Sequence, residues 1–275
     1  MCKTVAIQGI KGSFHHIVSQ QYFGNNVDVI ECLSFQDTVL ELLECRVDIA
    51  ILAIENSIAG SIIPNYALID TNNLQVIGEY YLDIQHHLMA LPNQSIYDIN
   101  EVHSHPMALL QCATFFKAYP HIKLVEAKDT AVVAQQIQVN NSLGIGAIAS
   151  RLAAEIFDLK IINQSIQTIK HNETRFVIVQ RLYEEIDNQE FDKASIKFEL
   201  EHKHGSLAAV LNVLSDCKLN LTKIQSLPII ETPWKYAFFV DVTFTDYESF
   251  EKAKTILELM TMRVKVLGTY KNTKK

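Results

Sequence analysis

The chain has 275 residues, of which 48% are apolar and 20% charged, with a formal net charge of −7. That length holds two ordinary domains, each able to bury a core, and the acidic balance without a basic stripe argues against a nucleic-acid surface. The five cysteines are scattered with no CxxC pair, so neither a zinc site nor a disulfide framework is expected and a reducing compartment fits. The first residues reach a polar loop too early for a secretory signal, and no apolar run approaches the ~20 residues that cross a bilayer. A cytoplasmic protein with neither nucleic-acid nor membrane partners is the expectation.

In chain order, Val5–Ile7 reads as a strand, followed by a Gly-containing loop and a helix from about Ser13. Val27–Glu31 is the next strand, and Ser34 is placed to cap the helix after it. Asp48–Ile54 is a nearly continuous apolar run, as expected of a strand covered on both faces. Strands follow near 84–90, 101–104, 123–127 and 145–148, with helices near 106–118, 130–139 and 150–157. In the helix after Pro106, Leu109, Cys112, Ala113 and Phe116 share one face. This alternation predicts α/β layers with mostly parallel sheets. A late strand over 175–180 would return to the first of two lobes. Residues 181–194 hold five acids and little periodicity, and read as a linker. A βαββαβ pattern follows: a strand at 195–201, a helix marked by Leu207, Val210, Leu211 and Leu214, strands near 221–230 and 235–243, a helix near 247–258 and a strand near 263–269. That order is ferredoxin-like.

Four polar clusters fall where strands end or begin, the places where open α/β sheets bind ligands. Gly9-Ile10-Lys11-Gly12-Ser13-Phe14 follows the first strand and opens a helix, which offers N–H groups to an anion; a plain tight turn explains it equally well. Glu55-Asn56-Ser57 follows the apolar strand and either lines a cleft or caps the next helix. Ser104-His105-Pro106, with Gln111 after it, begins a helix, and His105 is a candidate acid or base. His171-Asn172-Glu173-Thr174-Arg175-Phe176 heads a strand, and Arg175 either binds a carboxylate or forms a structural ion pair. No Ser-His-Asp arrangement and no metal-binding motif can be assembled from spacing.

Together and in this order the clusters resemble those of prephenate dehydratases. The resemblance rests on Gly9, Gly12, Ser13 and Phe14; on Glu55, Asn56 and Ser57; on Ser104, His105, Pro106 and Gln111; on Asp129, Thr130 and Ala131; and on Thr174, Arg175 and Phe176. The C-terminal part is similar to an ACT domain through Gly205, Ser206, Leu207 and Leu211, the run Asn220–Ile224, Phe238, Phe239 and Asp241. The resemblance implies an α/β fold: a two-lobed, periplasmic-binding-protein-like catalytic domain over 1–180, a linker over 181–194 and a ferredoxin-like (βαββαβ) ACT regulatory domain over 195–275. Lobe 1 would take about 1–80 plus 175–180, and lobe 2 about 81–174. It implies conversion of prephenate to phenylpyruvate with loss of carbon dioxide and water, with phenylalanine as effector, no metal or organic cofactor, and a homodimer or homotetramer.

By the same resemblance Thr174 donates a hydrogen bond to the leaving hydroxyl, Arg175 acts beside it, and Glu55 and His105 are candidate proton relays. Gly12, Ser13, Asn56, Ser57, Ser104, Gln111, Thr130, Asn172 and Phe176 would bind substrate, and Gly205, Ser206, Leu207, Gln225 and Ser226 the effector. One departure stands out: the family's Glu-Ser-Arg-Pro reads Gln225-Ser226-Leu227-Pro228 here, so two charged effector contacts are gone. Arogenate dehydration, and a non-catalytic two-lobed sensor of amino or keto acids, remain as alternatives.

Overall fold

The computed structural model describes residues 3–182, 191–229 and 235–274. The chain opens with β1 (Thr4–Gln8), α1 (Phe14–Phe23), β2 (Asp28–Cys32), α2 (Phe35–Leu43), β3 (Ile49–Asn56), β4 (Gly60–Ser61), α3 (Ile63–Thr71) and β5 (Leu74–Asp83). Then come β6 (His87–Ala90), β7 (Glu101–Ser104), α4 (Pro106–Phe116), β8 (Lys123–Glu126), α5 (Thr130–Val139), β9 (Ile145–Ala149), α6 (Arg151–Ile156), β10 (Lys160–Asn163) and β11 (Glu173–Arg181). The last third holds β12 (Lys193–Glu199), α7 (Ser206–Asp216), β13 (Asn220–Pro228), β14 (Tyr236–Thr243), α8 (Tyr247–Met260) and β15 (Arg263–Tyr270). Helix starts follow side-chain chemistry: Ser13, Ser34, Asp129, Ser150 and Asp246 each accept a backbone N–H of the first turn.

The first sheet runs β2-β1-β3-β11-β5, with β4 beside β3. β1 pairs in parallel with both β2 and β3, and the interior of β3 is buried on both faces, as its apolar run requires. The second sheet runs β10-β6-β9-β7-β8. β7 is parallel to β8 and β9, but β6 is antiparallel to β9 and β10. The expected mostly parallel arrangement therefore holds for only part of this sheet. No helix separates β5 from β6, so no crossover sets the direction of β6. The strand expected over 84–90 starts only at His87, because Ile84 and His86 bond to loop residues instead: Ile84 N–H to Asn172 O, and His86 O to Ile166 N–H. Sequence periodicity missed α3, whose first turn has a proline and no side-chain cap, the ten-residue β5 and the four-residue β10.

The third sheet, β13-β14-β12-β15, is antiparallel throughout. It is the βαββαβ order anticipated from the sequence, with Val210, Leu214, Phe250, Ala253 and Leu257 of α7 and α8 in its core. Of the expected linker, Arg181 belongs to β11 and Lys193 and Ala194 to β12; 183–190 lie outside the described residues. By contacts the chain forms two compact units, Met1–Gly60 with Tyr81–Phe176, and Ser61–Tyr80 with Val177–Lys275. Among the described residues no helix is long and apolar enough to cross a membrane.

Candidate active site

Every catalytic and substrate-binding residue expected from the sequence lies in the first compact unit. The centre is where the polar end of β3 meets the head of β11. Asn56 Nδ2 donates to Thr174 Oγ1 at 2.8 Å and to Asn172 Oδ1 at 2.7 Å. The amide cannot be reversed, because the backbone N–H groups of Ile58 and Ala59 donate to Asn56 Oδ1 at 3.0 and 2.8 Å. Asn172 Nδ2 then donates to Gln111 Oε1 at 2.9 Å. Hydrogen-bond polarity therefore runs one way, from two backbone amides through Asn56 and Asn172 to Gln111. Thr174 Oγ1 already accepts a hydrogen bond, and its O–H remains to donate. Gln111 is half-buried, and its amide N–H groups have no partner among the described residues.

Successive strand residues point to opposite faces. Asn56 and Thr174 share a face, so Glu55 and Arg175 share the other. The sequence grouped these four together; the strands divide them into two pairs. Arg175 is buried, Glu55 is half-buried, and neither is without a partner. Ser57, expected to touch substrate, is tied to β11: its N–H donates to Glu173 O at 2.8 Å and its Oγ accepts from Glu173 N at 3.0 Å.

The start of α1 abuts this centre. Phe14 lies edge-on to His86, with ring centroids 5.6 Å apart, and His15 lies edge-on to Phe176 at 4.9 Å. Phe176 is thus a core contact. Burial pushes the His15 imidazole down to about 3, so it is neutral near pH 7. The amides of Gly12 and Ser13, read from sequence as anion donors, are already engaged: Gly12 N–H donates to His16 Nδ1 at 3.0 Å and Ser13 N–H to Ile10 O at 2.9 Å. Among the described residues the next first-turn N–H groups, those of Phe14 and His15, have no hydrogen-bond partner. Gly12 serves a packing role. Its φ is +91°, and a Cβ there would lie 2.9 Å from Ala153 Cα in α6. Its carbonyl accepts from Ser150 Oγ at 2.6 Å.

The remaining expected residues sit at element ends. Ser104 is fully buried and donates to Ile148 O at 2.6 Å, joining β7 to β9. His105 is exposed and caps α4, its Nδ1 accepting the Met107 N–H at 3.2 Å. Thr130 is the first residue of α5, where Asp129 is the cap. His86 escaped sequence reasoning; its one signal is a pair of histidines, His86-His87, at the entry to a wholly buried strand. Among the described residues no group of His, Cys, Asp and Glu could hold a metal ion.

In the second unit, Ser206 and Leu207 line a cavity of about 180 Å³ with Leu200, Tyr236 and Phe238. That is below the ~300–1,000 Å³ usual for a ligand pocket. Gly205 caps α7 at φ +79°. Gln225 and Ser226 lie on β13 and do not line this cavity; Gln225 Nε2 donates to the Ser226 carbonyl.

Similarity to known proteins agrees with this geometry. The chain is 35% identical over 278 residues to an arogenate dehydratase/prephenate dehydratase from Arabidopsis thaliana, across 97% of this chain and 72% of that one. It is 30% identical over 270 residues to a bifunctional chorismate mutase/prephenate dehydratase from Enterobacter agglomerans, across 97% and 70% respectively. A prephenate dehydratase from Arthrobacter aurescens, solved in complex with L-Phe, superposes with a TM-score of 0.88 at 25% identity, across 98% of this chain and 90% of that one. The family model for prephenate dehydratase matches residues 5–184, so the chain belongs to the prephenate dehydratase family.

Proposed function

We propose that this chain is a prephenate dehydratase, a carbon–oxygen lyase that forms phenylpyruvate from prephenate in L-phenylalanine biosynthesis. The observation that carries the reading is the Thr174 hydroxyl, which accepts from Asn56 Nδ2 at 2.8 Å and so keeps its own proton to donate. In the reaction the ring carboxylate leaves as carbon dioxide and its bonding electrons enter the ring. The ring C–O bond then breaks, and the departing hydroxide takes up a proton to become water. Aromatisation drives this, so no strong nucleophile is required. What the reaction needs is a donor aimed at the oxygen that gains charge. Thr174 supplies that donor, and Gln111 offers a second amide donor in the same network. Arg175, and the open first-turn amides of α1, suit the two carboxylates of prephenate. Glu55, on the opposite strand face from Thr174, and His105, through Nε2, are the candidate proton relays.

The catalytic domain is read as running to the end of β11 at Arg181, and the βαββαβ domain that opens with β12 at Lys193 as an ACT domain. Its effector would be phenylalanine, taken by Gly205, Ser206, Leu207, Gln225 and Ser226 in a cytoplasmic homodimer or homotetramer. Gln225 and Leu227, standing where the family has charged residues, favour weak feedback. In the deciding assay, purified protein is mixed with prephenate at neutral pH and phenylpyruvate is read after adding alkali. Product well above the spontaneous rate is expected; its absence would sink the reading. Arogenate in a parallel reaction fixes the substrate, and added phenylalanine fixes the effector.

A further inference from the structure

We propose that His86 is a positioning residue that acts through Gln111: its Nε2–H meets the Gln111 carbonyl and holds that side chain at the end of the Gln111–Asn172–Asn56–Thr174 network, whose polarity leaves Gln111 and Thr174 as donors. The inference rests on the proposed site and adds a residue to it. His86 Nε2 lies 2.9 Å from Gln111 Oε1, the same oxygen that accepts from Asn172 Nδ2 at 2.9 Å. The backbone amides of Ile58 and Ala59 fix Asn56, and Asn56 in turn fixes Asn172. If Gln111 were flipped, its NH2 would confront the NH2 of Asn172. Gln111 must therefore present its carbonyl, and His86 must meet it with an N–H. A proton on Nδ1 instead would set two lone pairs against each other at Nε2.

The far side of the ring enforces the same tautomer. His86 is buried, and among the described residues its Nδ1 has no hydrogen-bond partner. A proton there would be a buried donor without an acceptor. The backbone holds the ring in place, with the His86 N–H on Gln167 Oε1 at 3.1 Å and its carbonyl taking the Ile166 N–H at 2.8 Å. Phe14 packs edge-on against the ring at 5.6 Å. Burial is the main cause that opposes a second proton on the ring; the Gln111 contact acts the other way, and the neighbouring His87 and His105 add to the burial effect.

Three variants and one spectrum test this. His86→Gln keeps a neutral donor near the Nε2 position, His86→Glu places only acceptors there when assayed at a pH that keeps its carboxylate ionised, and His86→Leu is apolar. Each is assayed with prephenate, and its thermal midpoint is taken to confirm folding. The expected result is a kcat lowered roughly 10- to 100-fold in His86→Leu and His86→Glu, recovery to within a few-fold in His86→Gln, and smaller changes in KM. Wild-type kcat in a folded His86→Leu, or equal losses in the Gln and Glu variants, would overturn the proposal. Nitrogen–proton correlation spectra of the ligand-free protein at neutral pH should place the His86 proton on Nε2. A proton on Nδ1 would refute the proposal even if the variants failed to fold. Because the spectrum needs no turnover, a wild-type protein inactive on prephenate would sink the functional reading while the tautomer remained separately decided.

Discussion

At the scale of single residues, the site is a problem of hydrogen-bond direction. A threonine hydroxyl is too weak an acid to give up its proton unaided, so what Thr174 contributes is orientation, and Asn56 supplies it. Thr174→Ala should lower kcat by about 100-fold or more, the usual effect of losing one donor to a developing oxyanion, with a small change in KM. Loss of binding with kcat retained would make Thr174 a binding residue only. Asn56→Asp is a sharper test of direction. A carboxylate has no proton for Thr174 Oγ1 or Asn172 Oδ1, so Thr174 would turn its O–H inward onto residue 56. The Ile58 and Ala59 N–H bonds to that side chain would survive, and the variant should fold. Its kcat should drop as far as that of Thr174→Ala; wild-type turnover in Asn56→Asp would exclude the inward turn and the polarity built on it.

Elements then decide where such residues can stand. The run Ile49–Ile54 announced a buried strand, and the polar Glu55-Asn56-Ser57 announced its end, so β3 was legible. The division of Glu55 from Asn56 was legible in principle from strand alternation, yet pairing with Thr174 needed a residue 118 positions away in the sequence. His86 gave no such signal because its partners are set by tertiary structure: Gln111 comes from α4, and Asn172 from the residue before β11. Gly12 was ambiguous for a related reason. A glycine before a helix reads equally as an anion cradle or a tight turn, and here its missing Cβ also lets α6 approach. Gly12→Ala would impose a positive φ on a residue with a Cβ and force Ala153 to move. Together these should lower stability by about 2–4 kcal/mol, read as a lower midpoint in urea unfolding. An unchanged midpoint would mean that α6 yields without penalty.

Over the whole molecule, buried ionisable groups tie stability to pH and to paired charges. His15 and His86 are held neutral by burial, down to about 3 and about 4, whereas in the unfolded chain they protonate near 6.5. The unfolded state therefore binds more protons below pH 6.5, and stability falls as pH drops from there towards 4. The melting midpoint should decline across that window, before most carboxylates titrate, and His86→Gln should flatten the slope. The second unit carries a buried ion pair. Lys193 Nζ lies 2.9 and 2.8 Å from the two carboxylate oxygens of Glu79, and both side chains are almost wholly buried. Thr273 adds its N–H to Glu79 Oε1 and its hydroxyl to the Glu79 carbonyl, so β5, β12 and the C-terminal segment share one polar knot. Gly268 permits the same approach between β15 and β5: a Cβ there would collide with the Val76 carbonyl. Forming such a pair gains little over an apolar one, because desolvation offsets the attraction, but removing one partner strands a charge. Lys193→Met should thus lower unfolding stability by about 3–5 kcal/mol, and adding Glu79→Leu should restore much of it. If the double variant were no more stable than the single one, the loss would come from packing around Lys193 and not from an uncompensated Glu79.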